Sequence, residues 1–426
     1  MLRLQISPGS GFEKAVEAAS RHFDKILAES YQRGYIRIAS YPSPDALIAA
    51  AAIFSIASSN GVNPILSVDY KPPQFFTEPA ILVGYTNPGY KSGFSEWPLM
   101  AIAPEISSTP PPGAVYVEGE GSIAGILAMI VNESKEAGVK TDAMRLLAAA
   151  VQLGGNVDPN GRVFGLDKTF YESVAREMLG LDMILSIKAY RPVSLTVCHS
   201  IASTLDPVYP GLIGDPEACS EYLRDEGLAS LIDRTLASLE DNEIERLAIT
   251  ILRRVGEVVG REPDPAEYIG YLPIARKDPY TEDPRMLAHT LVYSVEFTNS
   301  LAPLIEAAVS PHTFIPSLTR WSEVVAFNLR EGVDEIEVSK VKVQPWLQTY
   351  RVRYDGRLPE TLAWRLLSLS GKVSRDALIL FEEDDRLCGS VLQAEAANTG
   401  IVKRLVETKT AELEGMRYCV RGNAMD

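Results

Sequence analysis

Histidine and cysteine are scarce in this chain, four of each among 426 residues. The histidines His22, His199, His289 and His312 are scattered, and no HxH or HxxxH pair offers two imidazoles to one metal ion. Cys198, Cys219, Cys388 and Cys419 form no CxxC pair, so neither a zinc knuckle nor a redox pair is signalled. They are expected to be small buried apolar residues in a reducing cytosol. Glutamine is also rare, at seven, the direction taken by thermophilic proteins, in which labile amides are depleted. No apolar run reaches the roughly 18 residues of a membrane span, and Ala46–Ala57 comes nearest. Met1–Ser10 lacks a basic stretch followed by an apolar one, so no secretory signal is expected. The expected location is the cytoplasm, with no membrane partner.

Basic residues are outnumbered 41 to 56, giving a net charge of −15. A surface that gripped nucleic acid throughout would be basic, so any such contact must be local. The charge is uneven. Residues 310–426 hold 16 basic and 17 acidic residues, which leaves −14 for residues 1–309. That acidity suits solubility or a protein partner. Hydrophobic residues at 46% and charged residues at 23% exclude large-scale disorder, and the length favours two or three domains.

Gly34–Ser40 reads as a buried strand, followed by an Ala/Ile-rich helix to about Ser59, with Ser43 as N-cap, Pro44 at the first helical position and Asn60-Gly61 as the stop. Pro64–Tyr70, Ala80–Tyr85, Leu99–Ala103 and Ala114–Glu118 are further short apolar runs between Pro/Gly turns. Their near-continuous apolar character predicts a mostly parallel α/β sheet. Helices are expected over about 122–136, 141–153 and 169–189, with Gly154–Gly161 as a turn cluster, and helix throughout 216–309. Beyond a composition change near Ser310–Pro316, residues 335–354 read as paired strands and 359–370 as a helix. Residues 377–381 and 388–393 read as strands around the acidic turn Phe381–Arg386, and 400–413 as a closing helix.

In open α/β sheets, ligands bind beyond the carboxyl ends of the strands. Those ends carry Ser40-Tyr41-Pro42-Ser43-Pro44-Asp45-Ala46, Gly84-Tyr85-Thr86-Asn87 and Ala103-Pro104-Glu105, and the turn cluster after the later helix adds Gly154-Gly155-Asn156-Val157-Asp158. This order of segments resembles the DHH phosphoesterase superfamily, in its archaeal RecJ-like branch. The resemblance covers nearly the whole chain, including Arg191-Pro192-Val193 and Asp206-Pro207-Val208-Tyr209-Pro210-Gly211, which look like the family's linker. It implies an N-terminal DHH-like α/β domain (1–190), a mainly helical linker (191–309) and a C-terminal DHHA-like α/β domain (310–426).

The family's first loop, Ser-His-x-Asp-x-Asp-Gly, binds two manganese ions. Here Tyr41 and Ser43 stand at the His and the first Asp, only Asp45 survives, and Ala46 replaces Gly. The next metal-binding Asp falls near Gly84, the Asp-His-His signature on Ala103, Pro104 and Glu105, and the fourth motif's Gly-Asp on Gly155 and Asn156. The substrate-binding Gly-Gly-Gly-His place holds Glu414-Gly415-Met416-Arg417, with Gly422 keeping the trailing glycine. Two divalent ions about 3.5–4 Å apart need several carboxylates or imidazoles, and this set supplies too few. No cofactor, no metal and no catalytic residue is therefore expected.

Single residues have local readings as well. Asp45 suits the first turn of a helix, complementing its dipole, and the same helix N-terminus offers N–H groups to a phosphate or sulfate. Glu105 reads as a surface loop residue, Asp158 as a turn former and His199 as a hydrogen-bonded core residue. Lys340, Lys342, Arg351 and Arg353 recur at period two among Trp346, Tyr350 and Tyr354, so each basic pair shares a strand face. Basic groups with aromatic neighbours suit single-stranded nucleic acid, and a solvated sheet face is the plainer reading. Arg417 and Arg421 are further phosphate candidates.

An inactive RecJ-like chain resembles the Cdc-type component of the CMG replicative helicase, which implies a non-catalytic scaffold for GINS and the MCM helicase with single-stranded DNA as a further contact. The alternatives are a working manganese-dependent single-strand exonuclease or phosphoesterase built from Asp45, Glu105 and Asp158, and a nucleotide-binding sensor using the old cleft.

Overall fold

A computed structural model describes residues 2–9, 11–73, 77–88, 98–138, 140–332, 336–344, 346–354, 358–383, 386–397 and 400–420. The chain divides into two units. One comprises Met1–Met183, Pro273–Ala288 and Leu304–Ile315, the other Ile184–Leu272, His289–Pro303 and Pro316–Asp426.

The first unit begins with β1 (Leu2–Ile6), α1 (Phe12–Arg33), β2 (Tyr35–Ser40), α2 (Pro44–Ser59), β3 (Asn63–Val68), β4 (Ala80–Val83), β5 (Leu99–Ile102) and β6 (Ala114–Gly119). The six strands form one sheet in the order β1-β6-β5-β4-β2-β3, every pair parallel. β4 and β5 are buried at every position, which suits central parallel strands covered on both faces. The predicted helix forms as α2, with Ser43 and Asn60 as its caps. It is buried over Ala46–Ala57 and packs on α4 (Thr141–Val151), as a helix apolar all round must. Between them in sequence lies α3 (Ile123–Glu133), capped by the Ser122 hydroxyl, which accepts from the Gly125 N–H at 3.1 Å.

The helix predicted over 169–189 is shorter. α5 (Gly165–Phe170) continues through a π-turn (Tyr171–Ala175) into α6 (Arg176–Leu179) and stops at Gly180, whose φ of +63° ends the helix. Leu181–Ile187 is instead β7, paired in a two-stranded sheet with β8 (Ile269–Ala275). β8 also interrupts the helical stretch expected over 216–309. There the chain forms α7 (Val197–Ala202), α8 (Pro216–Asp225), α9 (Asp241–Val259), α10 (Pro265–Tyr268), α11 (Pro284–Thr298) and α12 (Ala302–Val309), with short 3-10 turns at Ala229–Leu231 and Leu236–Ser238. α9 is amphipathic, opened by a Glu240–Glu243 capping box and closed by Gly260.

α13 (Pro311–Gly332) leads to β9 (Glu337–Val341), β10 (Thr349–Arg353), α14 (Glu360–Leu369), β11 (Leu378–Glu383), β12 (Arg386–Ser390), α15 (Val391–Ala397), α16 (Ile401–Glu407), β13 (Ala411–Glu414) and β14 (Arg417–Val420). The strands make a mixed sheet, β13-β14-β12-β11-β10-β9, parallel only between β10 and β11. The paired strands expected over 335–354 are β9 and β10. The strand expected over 388–393 ends at Ser390, whose hydroxyl accepts from the Leu392 and Gln393 N–H groups and starts α15. The closing helix ends at Glu407, and β13 and β14 form a hairpin across Gly415, where φ is +67°.

The cysteines correct the expectation of free thiols. All four are buried, but Cys198–Cys219 and Cys388–Cys419 are disulfides, with Cα atoms 5.5 and 4.0 Å apart. Cys388 and Cys419 are direct partners across β12 and β14. Sequence separations of 21 and 31 carry no local signal, because folding rather than spacing brings each pair together.

Candidate functional site: a cleft at the strand ends of the first unit

The first sheet changes direction between β2 and β4, since the chain runs to β3 on one side and to β4, β5 and β6 on the other. Such a switch point opens the crevice in which α/β sheets bind ligands. Tyr41 and Gly84 flank it, joined by a hydrogen bond from the Tyr41 N–H to the Val83 carbonyl at 2.8 Å. Two further tyrosines fill the crevice. Tyr41 meets Tyr70 and Tyr85 edge-on, with ring centroids 5.5 and 6.1 Å apart. The buried Tyr85 hydroxyl donates to the carbonyls of Ser40 and Asp69, both at 2.9 Å, and burial raises its pKa.

Gly84 sits at φ +83°, and a Cβ built on it would lie 2.9 Å from Ala46 Cβ and 3.1 Å from Tyr41 Cβ. No aspartate fits where the second metal-binding carboxylate of the DHH pattern would stand. Gly84 donates its N–H to the Ile102 carbonyl at 2.8 Å, which ties the loop to the end of β5. Ala103 is buried, and Pro104 and Glu105 are exposed on the loop that follows. The Glu105 charge acts on Arg3, which forms an ion pair with Glu118. Glu105 is therefore a surface residue, as its local reading held.

Ser43 caps α2 by position, yet its hydroxyl donates to Asp45 Oδ1 at 2.7 Å instead of accepting from the helix. Asp45 stands in the first helical turn, and burial pushes its carboxyl above its ordinary value against that hydrogen bond. Asp158 is the turn former predicted, with Oδ1 accepting from the Arg162 N–H at 2.8 Å. His199 is exposed, which corrects the core reading. It lies at the start of the short α7, with Nδ1 2.9 Å from the Thr196 hydroxyl, and the apolar stretch turns its other residues inward.

Sequence reasoning missed Asp167. It has no exposed surface and accepts from the Ser122 N–H at 2.9 Å and the Ser122 hydroxyl at 2.7 Å. Asn156, the fourth-motif position, also hydrogen-bonds to it, and its pKa is raised by burial. The charge of Asp167 in turn raises the pKa of Asp45. The cleft thus joins Tyr41 to Gly84, and Asn156 to Asp167, and leaves Glu105 at the surface. A helix start at Ser122 was visible in the sequence. A carboxylate arriving 45 residues later was not.

The basic candidates lie in the second unit. Lys340 faces Tyr350 across β9 and β10, its Nζ 6.0 Å from the ring centroid, and Lys342 follows β9; both are exposed. Arg351 and Arg353 occupy the opposite face, and both form ion pairs with Glu382 on β11. Arg404 stacks over the exposed Trp346 ring at 4.1 Å. Arg417 is paired with Glu360 at 2.5 Å. Arg421 and Gly422 lie outside the described residues.

No protein-family model matches the chain, and no curated protein matches it by sequence. Among solved structures, CDC45 from Entamoeba histolytica aligns over 98% of this chain and 96% of its own, with a TM-score of 0.55 at 9% identity. The chain has a CDC45-like fold. Two structures of the exonuclease RecJ also match at a TM-score of 0.39. One, bound to manganese, is 12% identical over 96% of this chain and 90% of its own. The other, from Thermus thermophilus in complex with Mn2+, is 11% identical over 99% of this chain and 53% of its own.

In this CDC45-like chain the cleft residues do not fit a pair of divalent cations. Gly84 leaves no room for a carboxylate, the Tyr41 ring is packed against two others, and the Asp167 oxygens already accept from Ser122 and Asn156. Among the described residues there is no group of three or more His, Cys, Asp or Glu side chains able to hold a metal ion. Paired cations about 3.5–4 Å apart require such a group to offset their charge.

Proposed function

We propose that this protein is a non-catalytic DNA replication factor, an inactive RecJ-like scaffold that binds GINS and the MCM helicase in a CMG-type complex in the cytoplasm. The observation that carries this reading is the filled cleft. Three tyrosines and a glycine with no room for a side chain occupy the switch point at which a hydrolase of this fold would need its metal ligands. A CDC45-like fold along nearly the whole chain supports the same reading. The acidic residues 1–309, spanning the DHH-like domain (1–190) and the linker (191–309), are the protein-facing part. The C-terminal DHHA-like domain (310–426) contacts single-stranded DNA through Lys340 and Lys342 beside Tyr350 on one face of the β9–β10 pair and through Arg351 and Arg353 on the other, with Arg417 and Arg421 as further contacts.

A pull-down on the purified chain should recover GINS subunits, and recovery of none overturns the scaffold. Labelled single strands should stay intact in manganese, and metal-dependent cleavage would instead establish the exonuclease. A gel shift on single-stranded DNA should weaken in a Lys342→Ala, Arg353→Ala double variant, and an unchanged shift removes the C-terminal contact.

A further inference from the structure

The N-terminus of α3 is already held by an anion, and the anion belongs to the chain. Asp167 Oδ2 accepts from the Ser122 backbone N–H at 2.9 Å and Oδ1 from the Ser122 hydroxyl at 2.7 Å. The Asn156 side chain also hydrogen-bonds to this carboxylate, and the Gly125 N–H, on the first turn of α3, donates to the Ser122 hydroxyl at 3.1 Å. A Cβ on Gly125 would lie 2.0 Å from Asp167 Oδ1, so only glycine at this position admits the group. Gly154 is equally tight, its Cβ position 2.5 Å from Ser122 Cβ. A backbone N–H at a helix start, a hydroxyl and an amide are donors that an inorganic oxyanion takes at such a place. Here they converge on a side chain with no solvent exposure.

We propose that Asp167 is a built-in substitute for an oxyanion ligand, occupying the α3 N-terminus and shutting phosphate-like groups out of the cleft. The proposal deepens the reading of an inactive cleft and rests on it for its meaning. It extends that reading from missing metal ligands to a blocked place for the phosphate itself.

The test is anion rescue. In chloride, Asp167→Gly should melt below the wild type, because its donors lose their acceptor. Inorganic phosphate at constant ionic strength should then raise the melting temperature of this variant saturably, by about 3–6 °C at a tenfold excess over its dissociation constant. The wild type should show no shift beyond that of sulfate-free salt controls. Asp167→Asn, which fills the seat without the charge, should not be rescued. If Asp167→Gly does not fold in chloride, its refolding yield in phosphate against chloride reads the same quantity. Failure of phosphate to restore Asp167→Gly, or an equal phosphate shift in the wild type, overturns the proposal. GINS recovery and nuclease activity are read in separate assays, so neither outcome there is confused with this one.

Discussion

Removing either disulfide should lower the melting temperature of the second unit by several degrees. Both bonds lie within it, closing loops with sequence separations of 21 and 31 residues. A cross-link removes loop-closure entropy from the unfolded chain, and for these lengths the loss corresponds to about 3 kcal/mol for Cys198–Cys219 and about 4 kcal/mol for Cys388–Cys419. In a cooperative unit of roughly 200 residues, each kcal/mol moves the midpoint by about 2–4 °C, so each bond should contribute about 7–15 °C. Calorimetry on Cys198→Ala/Cys219→Ala and Cys388→Ala/Cys419→Ala measures this directly. Wild-type protein reduced in denaturant and refolded with reductant separates the cross-link from the change of side chain. The thiol count of the unfolded, unreduced protein should be zero. Four reactive thiols, or paired variants melting within about 2 °C of the wild type, would refute the reasoning.

Three further perturbations test individual residues. Asp45→Asn should gain stability relative to the wild type as pH rises. The raised carboxyl of Asp45 keeps its proton in the folded state longer than in the unfolded state, so the wild type loses stability from about pH 4 up through the folded value while the variant does not; melts between pH 3.5 and 7 that run parallel would contradict this. Gly84→Ala should cost about 2–4 kcal/mol in urea unfolding, from a side chain at φ +83° and Cβ contacts near 3 Å, and a neutral result would mean the crevice is looser than described. Glu296→Ala should cost about 3–5 kcal/mol, since this buried carboxylate accepts from the Thr361 N–H at 3.0 Å and from the Thr361 and Ser390 hydroxyls at 2.5 Å each, whereas Glu296→Gln should cost less. Equal losses in the two Glu296 variants would overturn this, showing that the paired acceptor oxygens alone, and not the shape of the side chain, matter there.

The parallel sheet was legible because strands buried on both faces read as unbroken apolar runs, and α2 because its caps and its alanines agree. β7 and β8 were not, because their pairing spans more than eighty residues and IGYLPIA carries a glycine and a proline within the strand. The closing hairpin was hidden for a different reason: Ala411–Glu414 alone reads as well in a helix, and only its partner β14 makes it a strand. In the cleft, strand ends located Tyr41 and Gly84, since the switch point is a property of strand order, and the glycine-rich turn after α4 located Asn156. Asp167 escaped because a buried carboxylate is recognised by the donors around it, and these come from segments far apart in the chain. The disulfides escaped for the same reason.

A metal cleft and a packed cleft place opposite demands on the same strand ends. Carboxylates that hold two cations repel one another once the cations are gone, and buried charge without a partner costs several kcal/mol. Here tyrosines and alanine stand where such groups would gather, and the switch point has become continuous with the core around Ala39, Leu82, Tyr85, Ala101 and Tyr116. Asp45 and Asp167 are the carboxylates of the cleft that remain, each in the first turn of its own helix and each with a hydroxyl donor. Burial holds both carboxyls above their ordinary values even against these hydrogen bonds, so the cleft disfavours charge where a metal cleft would demand it.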